Sequence, residues 1–556
     1  MNENRFSIGV DYGTNSVRAV IARLSDGKIV SESVFNYPSG TAGILLDPRD
    51  PNLARQNPAD YLKGFLTSVG NAVRQAKEQT PGFSAENIVG IGVDTTGSTP
   101  IPVDAEGTPL AMKPEFKDDL AAQAWLWKDH TSVEEAQEIT DWAKARPEGF
   151  LAKCGGTYSS EWYWAKILHC VRTSPNVAEA AASWIELADF IPAWLTGNLD
   201  PETMPRGICA AGHKALYHEQ WGGLPSEEAL RSLDERLVRF RYSTKAVPVD
   251  HAAGTLTAEI AEKTGLPAGI PVAVGAFDCH LGAIGSGVRP GTLVKTIGTS
   301  TCDIMVSPLS QPIADIPGLC GIVPESVLPG MYGLEAGQSA VGDIFNWFVK
   351  HVVSGDDSAH AALTEEAQKL KPGASGLLAL DWNNGNRTVL VDQNLTGLIL
   401  GQTLHTTAAE IYRALIEATA FGALTIINRF VEYGIEVKEV VCCGGIAEKN
   451  ALVMQIYADI FDRPVKVSRC SQTCALGSAI AGAVVGGAYG DFATAADQMT
   501  GVKEKIYVPD PGSASVYRRL YALYVQLHDA FGKTGKDPSL ENVMKDLIAI
   551  RQECRR

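Results

Sequence analysis

Three carboxylates of this chain occupy the same kind of place. Asp11 in FSIGVDYGT, Asp94 in IVGIGVDTTG and Asp278 in VAVGAFDCH each end a short apolar run of β-forming residues. In parallel sheets, functional groups collect beyond the carboxyl ends of the strands. The three acids are therefore candidates for one shared crevice, one of them being a cap or a structural acid. Two small hydroxyl-rich turns accompany them, Gly13-Thr14-Asn15-Ser16 and Gly298-Thr299-Ser300-Thr301. Such turns leave backbone N–H groups and hydroxyls unpaired, which suits phosphate oxygens. A carboxylate at one strand end and a phosphate cradle at the next can form a phosphoryl-transfer site, with Asp11 placed to hold a hydrated Mg²⁺. On these residues alone a plainer reading stays open, in which Asp278 caps the following helix and residues 299–301 merely turn the chain.

The elements that must position these residues can be read from their periodicity. Residues 6–24 form a β-hairpin with the first turn at its tip, and the second turn, in the other half, is chemically similar. Two such turns suggest duplicated halves clamping one nucleotide. Tyr61, Phe65, Leu66, Val69 and Val73 recur at helical spacing between Asn57 and Glu78, and residues 406–433 read as a long buried helix. The strand VKEVVCCGG (437–445) runs into GGIAEKN, where a Gly-Gly turn lets backbone approach a flat ligand or simply joins strand to helix. CALGSAIAGAVVGGAYG (474–490) is a small-residue helix made for tight packing. Glu335 and Gln338 precede an aromatic-rich helix, and Glu335 either lines a pocket or caps that helix near Ser339. Seven of the ten tryptophans fall between 125 and 194, and most of them are assigned to core. A sugar pocket also needs aromatic walls with a few fixed polar groups, and Lys128, Asp129, His130 and Lys214 are the ones set among these aromatics.

Composition bounds the function. A chain of 556 residues predicts two domains. A net charge of −16 argues against a nucleic-acid surface, which would be basic. Neither a charged–apolar leader nor an 18-residue apolar run is apparent, so neither export nor membrane insertion is expected. The 11 cysteines are scattered without paired CxxC spacings, which predicts core thiols in a reducing cytoplasm. The P-loop, the GxSxG elbow, HExxH and a dinucleotide fingerprint are all missing.

DYGT, GTST and GGIAEKN, in that order, resemble the phosphate 1, phosphate 2 and adenosine motifs of the actin-like ATPase fold. VDTTGSTP, LWKDHT, YSSEWYWAKILH, AAGHK, GAFDCHLGA, IGTSTCDI and GLEAGQSA extend the likeness to the FGGY carbohydrate kinases over nearly the whole chain, and most closely to their L-ribulose-phosphorylating branch. The resemblance implies an α/β fold of two duplicated actin-like (ribonuclease H-like) domains flanking a nucleotide and sugar cleft. Residues 1–286 would carry the base and a sugar-binding insertion at about 104–255, and residues 287–545 the phosphate 2 and adenosine sites. It further implies ATP and Mg²⁺, with Asp278 as general base, Asp11 as the Mg²⁺-associated carboxylate, and Gly13, Thr14 and Asn15 at the first phosphate site. Gly298, Thr299, Ser300 and Thr301 would serve the second, Gly444, Gly445 and Asn450 the adenosine, and Thr96, Lys128, Lys214 and Glu335 a ketopentose.

The implied reaction is ATP-dependent conversion of L-ribulose to L-ribulose 5-phosphate in arabinose breakdown, by a cytoplasmic enzyme with no nucleic-acid or membrane partner. D-ribulose or ribitol as acceptor, an actin-like nucleotide switch, a dead sugar sensor and a homodimeric assembly stay open. Two departures from the family stand out. Lys128-Asp129-His130 replaces an acid–arginine form, which disfavours glycerol and D-xylulose. The wide spacing between Gly397-Leu398 and Glu410 leaves the helix register there unsettled.

Overall fold

Alternating apolar residues on either side of the Gly-Thr-Asn tip build an antiparallel hairpin from β1 (Phe6–Tyr12) and β2 (Ser16–Arg23), continued by β3 (Ile29–Asn36). On its other side β1 pairs in parallel with β4 (Ile88–Thr95). Beyond them come β5 (Ala252–Thr255), β6 (Pro271–Ala273) and β7 (Ala276–Phe277). β6 and β7 run parallel to β4, and β5 closes the edge antiparallel to β6. The computed structural model describes residues 4–533 and 543–555; residues 534–542, near the end of the expected second domain, lie outside the described residues.

α1 (Pro58–Gln79) covers this sheet. Asn57 caps it, accepting from the Ala59 amide at 3.0 Å, and proline takes the first helical position. The helix buries Tyr61, Phe65, Val69 and Val73 against Ile8, Val10 and Val93. Two further helices end at the cleft: α2 (Ile208–Lys214), and α3 (Asp278–Gly285), which starts directly from β7.

A second sheet repeats the plan of the first. β8 (Thr292–Ile297) and β9 (Thr301–Pro308) form a hairpin around the second turn. β10 (Gly321–Pro324) and β11 (Met331–Ala336) extend it antiparallel on one side. On the other side β12 (Glu439–Cys443) and β13 (Val465–Val467) lie parallel to β8. Each sheet thus has an antiparallel hairpin, a third antiparallel strand beside it, and parallel strands on the opposite flank. The duplicated actin-like architecture expected from the sequence is what the strands adopt.

The helices of this half are α4 (Gly342–Trp347), α5 (Ala408–Glu432), α6 (Gly445–Lys449), α7 (Ala451–Phe461) and α8 (Thr473–Val485). The start of α5 is unambiguous: Thr407 Oγ1 accepts from the Glu410 amide at 3.3 Å, and Glu410 accepts from the Thr407 amide at 2.8 Å. This capping box settles the register that the spacing from Gly397-Leu398 had left open. By length and composition α5 could cross a membrane, yet 78% of its most apolar window is buried inside the fold, so it is a core helix. Trp125, Trp162, Trp164 and Trp184 of the 104–255 region form a separate aromatic core, as expected of most of them.

α8 lies in the second half of the sequence but packs on β1, β4 and α3 of the first. A Cβ built on Gly9 would sit 1.7 Å from the Ala475 carbonyl oxygen, and one on Gly92 would sit 1.9 Å from that of Ser478. Only hydrogen at these two positions lets helix backbone lie directly on strand backbone. A fourth core forms around this contact, joining Phe277, Leu281 and Ile284 to Val294, Ile304, Val441, Leu476 and Ile480. Overpacking of a close contact costs about 1–3 kcal/mol or more, and here the obstacle is backbone. We expect Gly92→Ala to lose about 3 kcal/mol or more in denaturant unfolding. Gly70→Ala on α1, where the nearest atom would lie 3.9 Å away, should be neutral or gain up to about 1 kcal/mol. Equal stability of the two variants would refute the contact.

Candidate active site

Parallel pairing brings the three acids together. Asp11 and Asp94 stand side by side in register on β1 and β4, and β7 sets Ala276 beside Asp94, so that Asp278 opens α3 one step further along. The Asp94 side chain is fully buried; its Oδ2 accepts from Ser478 Oγ of α8 at 2.5 Å, while its Oδ1 has no partner among the described residues other than the Asp11 carboxyl beside it. Burial, and then the charges of Asp11 and Asp278, hold the Asp94 carboxyl well above the usual carboxylate range. Burial also raises Asp11, partly offset by its contact with Asp94 and by the Arg18 guanidinium, which lies 3.9 Å away. Asp278 is pushed up to about 7 by burial and by the neighbouring Asp11. Its Oδ1 accepts from the Cys279 amide at 2.6 Å. Asp278 is the first residue of the helix rather than its cap, a place Phe277 takes, so the plain capping reading fails.

The two turns present matching amides. At the first, Gly13 donates to the Ser16 carbonyl at 2.9 Å; at the second, Gly298 donates to the Ser300 carbonyl at 3.0 Å. The amides of Thr14, Asn15, Thr299 and Ser300 have no protein acceptor among the described residues. Both turns are braced from behind. Trp127 Nε1 donates to Thr14 Oγ1 at 3.0 Å, Gln56 to the Thr14 carbonyl at 2.7 Å, and Asn15 Nδ2 to the Ala42 carbonyl at 2.6 Å. Val341 and Asp343 donate to the Thr299 carbonyl at 2.9 and 3.2 Å, and Gly342 to that of Gly298 at 3.0 Å. Cys279, beside the base, meets Cys302, which follows the second turn.

Across the cleft Lys214, the last residue of α2, pairs with Glu335 of β11, Nζ to Oε1 at 3.4 Å, both buried. Burial alone would raise Glu335, but the Lys214 ammonium outweighs it and holds the carboxylate well below its ordinary range. Glu335 therefore does not cap a helix: α4 begins at Gly342, and Glu335 points from a strand to the other half of the molecule.

The other candidate residues are placed as follows. Thr301 is buried, its Oγ1 receiving Lys295 Nζ at 3.2 Å and the Gln338 amide at 2.9 Å, so it supports the second turn from below. Asn450 Oδ1 accepts from the Val453 amide at 3.1 Å, capping α7. Asp129 is buried against Arg55 and accepts from the Ala54 amide at 2.7 Å; it is structural, with Arg55 stacked on Trp125. His130 turns to Ser160 Oγ at 3.1 Å. Thr96 is buried, its hydroxyl 3.1 Å from that of Thr99. Lys128 is half-buried beside Trp127 and has no salt-bridge partner among the described residues. Gly444, with φ +93, lies where its Cβ would meet the Ile297 carbonyl at 2.5 Å, whereas a Cβ on Gly445 would meet only open space. That exposed glycine surface sits beside the second turn, because β12 pairs with β8 up to Cys443.

Residues that the sequence reading missed are His213, His280, Ser478 and Arg387, which adds positive charge near Glu335. His213 and His280 adjoin or nearly adjoin motif residues in AAGHK and DCH, a signal that could have found them. Nothing local in the sequence marks Ser478 or Arg387.

Known proteins resemble this chain over nearly its whole length. Residues 6–285 match the N-terminal domain of the FGGY family of carbohydrate kinases and residues 293–485 match its C-terminal domain. The chain is 42% identical to a ribulokinase of Halalkalibacterium halodurans, with 98% of each protein covered. It is 41% identical to a ribulokinase of Geobacillus thermodenitrificans, covering 99% of this chain and 98% of the relative. The crystal structure of a xylulose kinase from Rhodospirillum rubrum superposes with a TM-score of 0.76 at 26% identity, covering 95% of this chain and all (100%) of the other. By sequence and by fold, the chain belongs to the FGGY family of carbohydrate kinases.

Proposed function

We propose that this protein transfers the γ-phosphoryl group of ATP to L-ribulose, giving ADP and L-ribulose 5-phosphate in the breakdown of L-arabinose. The observation that carries the reading is the meeting, in one cleft, of Asp278, two turns with free amides, and the buried Lys214–Glu335 pair. Relatives at about 40% identity over nearly their whole length carry the ribulokinase name, which supports ribulose over D-xylulose or glycerol as acceptor. All 11 cysteines are free, which supports a reducing cytoplasm as the setting.

Phosphoryl transfer asks for positioning and charge neutralisation more than for covalent chemistry. In this reading the amides of Thr14 and Asn15 and those of Thr299 and Ser300 grip the phosphates from the two halves. Exposed Gly445 gives the adenosine a flat surface. Lys214 and Glu335, with Lys128 and Thr96 in the adjoining walls, orient the sugar hydroxyls. Asp278 accepts the proton of the attacking hydroxyl as the bond to phosphorus forms. The carboxylates fit a hydrated divalent cation: Asp94 Oδ1 is buried against the Asp11 carboxyl, and two acids in contact call for a positive charge. Mg²⁺ held there through Asp11 would supply charge neutralisation to the triphosphate.

A base raised to about 7 is half protonated at neutral pH. Acid pH adds the proton that the base must be free to accept, so kcat/KM for ribulose should fall as pH drops through about 7. Asp278→Asn should still bind ATP and sugar but lose on the order of 10²- to 10⁴-fold in kcat, with that pH limb gone. A variant keeping a third or more of wild-type kcat removes Asp278 from the role. L-ribulose should also exceed glycerol and D-xylulose at least tenfold in kcat/KM, about 1.4 kcal/mol. Coupled ADP release measured with each sugar decides this, and equal efficiency with glycerol would defeat the substrate assignment while leaving the phosphoryl chemistry intact.

A further inference from the structure

His213 at the end of α2, His280 in α3 and Glu335 on β11 converge in the wall of the cleft. All three are buried, at 2%, 0% and 6% exposure. Glu335 Oε2 lies 3.3 Å from His213 Nδ1 and 3.6 Å from His280 Nε2. Among the described residues none of these three atoms has a hydrogen-bond partner, although buried polar atoms are nearly always paired.

The surroundings settle which atom of His213 carries a hydrogen. Ser326 Oγ donates to the Val323 carbonyl at 3.1 Å, so it must accept from His213 Nε2, 2.9 Å away. In the neutral imidazole that leaves Nδ1 as a bare lone pair aimed at a carboxylate oxygen. Burial, with His280 second, holds His213 well below its ordinary range, and burial lowers His280 to about 4. Both rings thus resist taking the proton that would otherwise join them to Glu335. The position of the ring is itself fixed: a Cβ on Gly321 would lie 2.1 Å from His213 Nδ1, so β10 presses against its edge. Glu335 keeps its second oxygen, Oε1, for Lys214.

Lone pairs pointed at one another call for a cation between them. Ligands in a tetrahedral Zn²⁺ site, about 2.0–2.2 Å from the metal, stand roughly 3.3–3.6 Å apart, matching the two separations to Glu335. The Ser326–His213 contact is the kind of outer hydrogen bond that orients a ligating histidine. We infer that His213 Nδ1, His280 Nε2 and Glu335 Oε2 form a site for a divalent transition-metal ion such as Zn²⁺, distinct from the Asp11 carboxylate group, whose occupation inhibits the enzyme. The metal draws Glu335 away from the sugar, so inhibition is competitive with the sugar and not with ATP. The fourth ligand is water.

Cobalt(II) is the probe, added to the full-length, Mg²⁺-free protein. The expected result is the visible d–d bands of a tetrahedral nitrogen–oxygen site with no thiolate-to-cobalt charge-transfer band, lost on adding Zn²⁺. His213→Asn should weaken cobalt binding by about tenfold or more, and Ser326→Ala, which leaves all three ligands in place, by about tenfold. Should His213→Asn fail to fold, the native spectrum and Ser326→Ala decide. Zn²⁺ should raise the apparent KM for ribulose and leave that for ATP unchanged. A proton shared by His213 and Glu335 in place of a metal would give no cobalt spectrum, and a charge-transfer band would place the ion on Cys279 and Cys302. Either result overturns the site, as does unchanged affinity in the Ser326 and His213 variants.

Discussion

The contact on which the rest depends is that of α8 with the strands of the other half. Backbone meets backbone there because Gly9, Gly90 and Gly92 leave no side chain in the way. One consequence is mechanical: the inner face of the first sheet is closed by a helix that arrives late in the chain. The other is chemical. Ser478 is carried under Asp94, where its hydroxyl donates at 2.5 Å, and Cys474 joins the Asp11–Asp94 pair. Neither half owns the carboxylate floor of the cleft, and a shift of α8 would disturb packing and chemistry together.

Within that frame, environment divides the acids into opposite roles. Asp278 and Glu335 are both enclosed, and burial acts on both in the same direction. Asp278 has acidic neighbours and is pushed up to about 7, where a carboxylate can accept and release a proton near neutrality. Glu335 has the Lys214 ammonium beside it and stays an anion. One is left free to accept a proton and the other is held fixed as a charge. Groups whose surroundings push their pKa values apart identify the acid–base assignments of a site, and here the partition falls across the two halves.

Much of this was written in the chain. A strand ending in Asp is visible because the apolar run and the acid are contiguous, and the two turns are visible through their glycine and hydroxyl content. The paired carboxylates followed, because parallel pairing puts like positions side by side. Contacts between halves left no local trace. Glu335 read equally well as a cap because nothing near it in sequence reveals Lys214 at 3.4 Å. Asn450 looked like a ligand contact, yet an Asn directly before an apolar helix is also a good cap, and capping is what it does. Asp129 was read as a pocket acid, but the Arg55 that neutralises it lies some seventy positions upstream. The tight packing of α8 was legible in its small residues, its partner was not.

Why the amides of the turns stay open is answered by what holds the turns from behind. An unpaired N–H tends to collapse onto a nearby acceptor unless its peptide is fixed. At the second turn that fixing comes from the start of α4 and from the buried network of Lys295, which contacts Asp303 Oδ1 at 2.9 Å, Gln338 Oε1 at 2.9 Å and Thr301. At the first it comes partly from Trp127, whose indole donates to Thr14 Oγ1. Trp127 belongs to the aromatic region beside Lys128, so the wall assigned to the sugar is bonded directly to a turn assigned to phosphate. Under the proposed assignments the two substrates would be read by one continuous structure, in which a displaced sugar wall would also displace the phosphate amides.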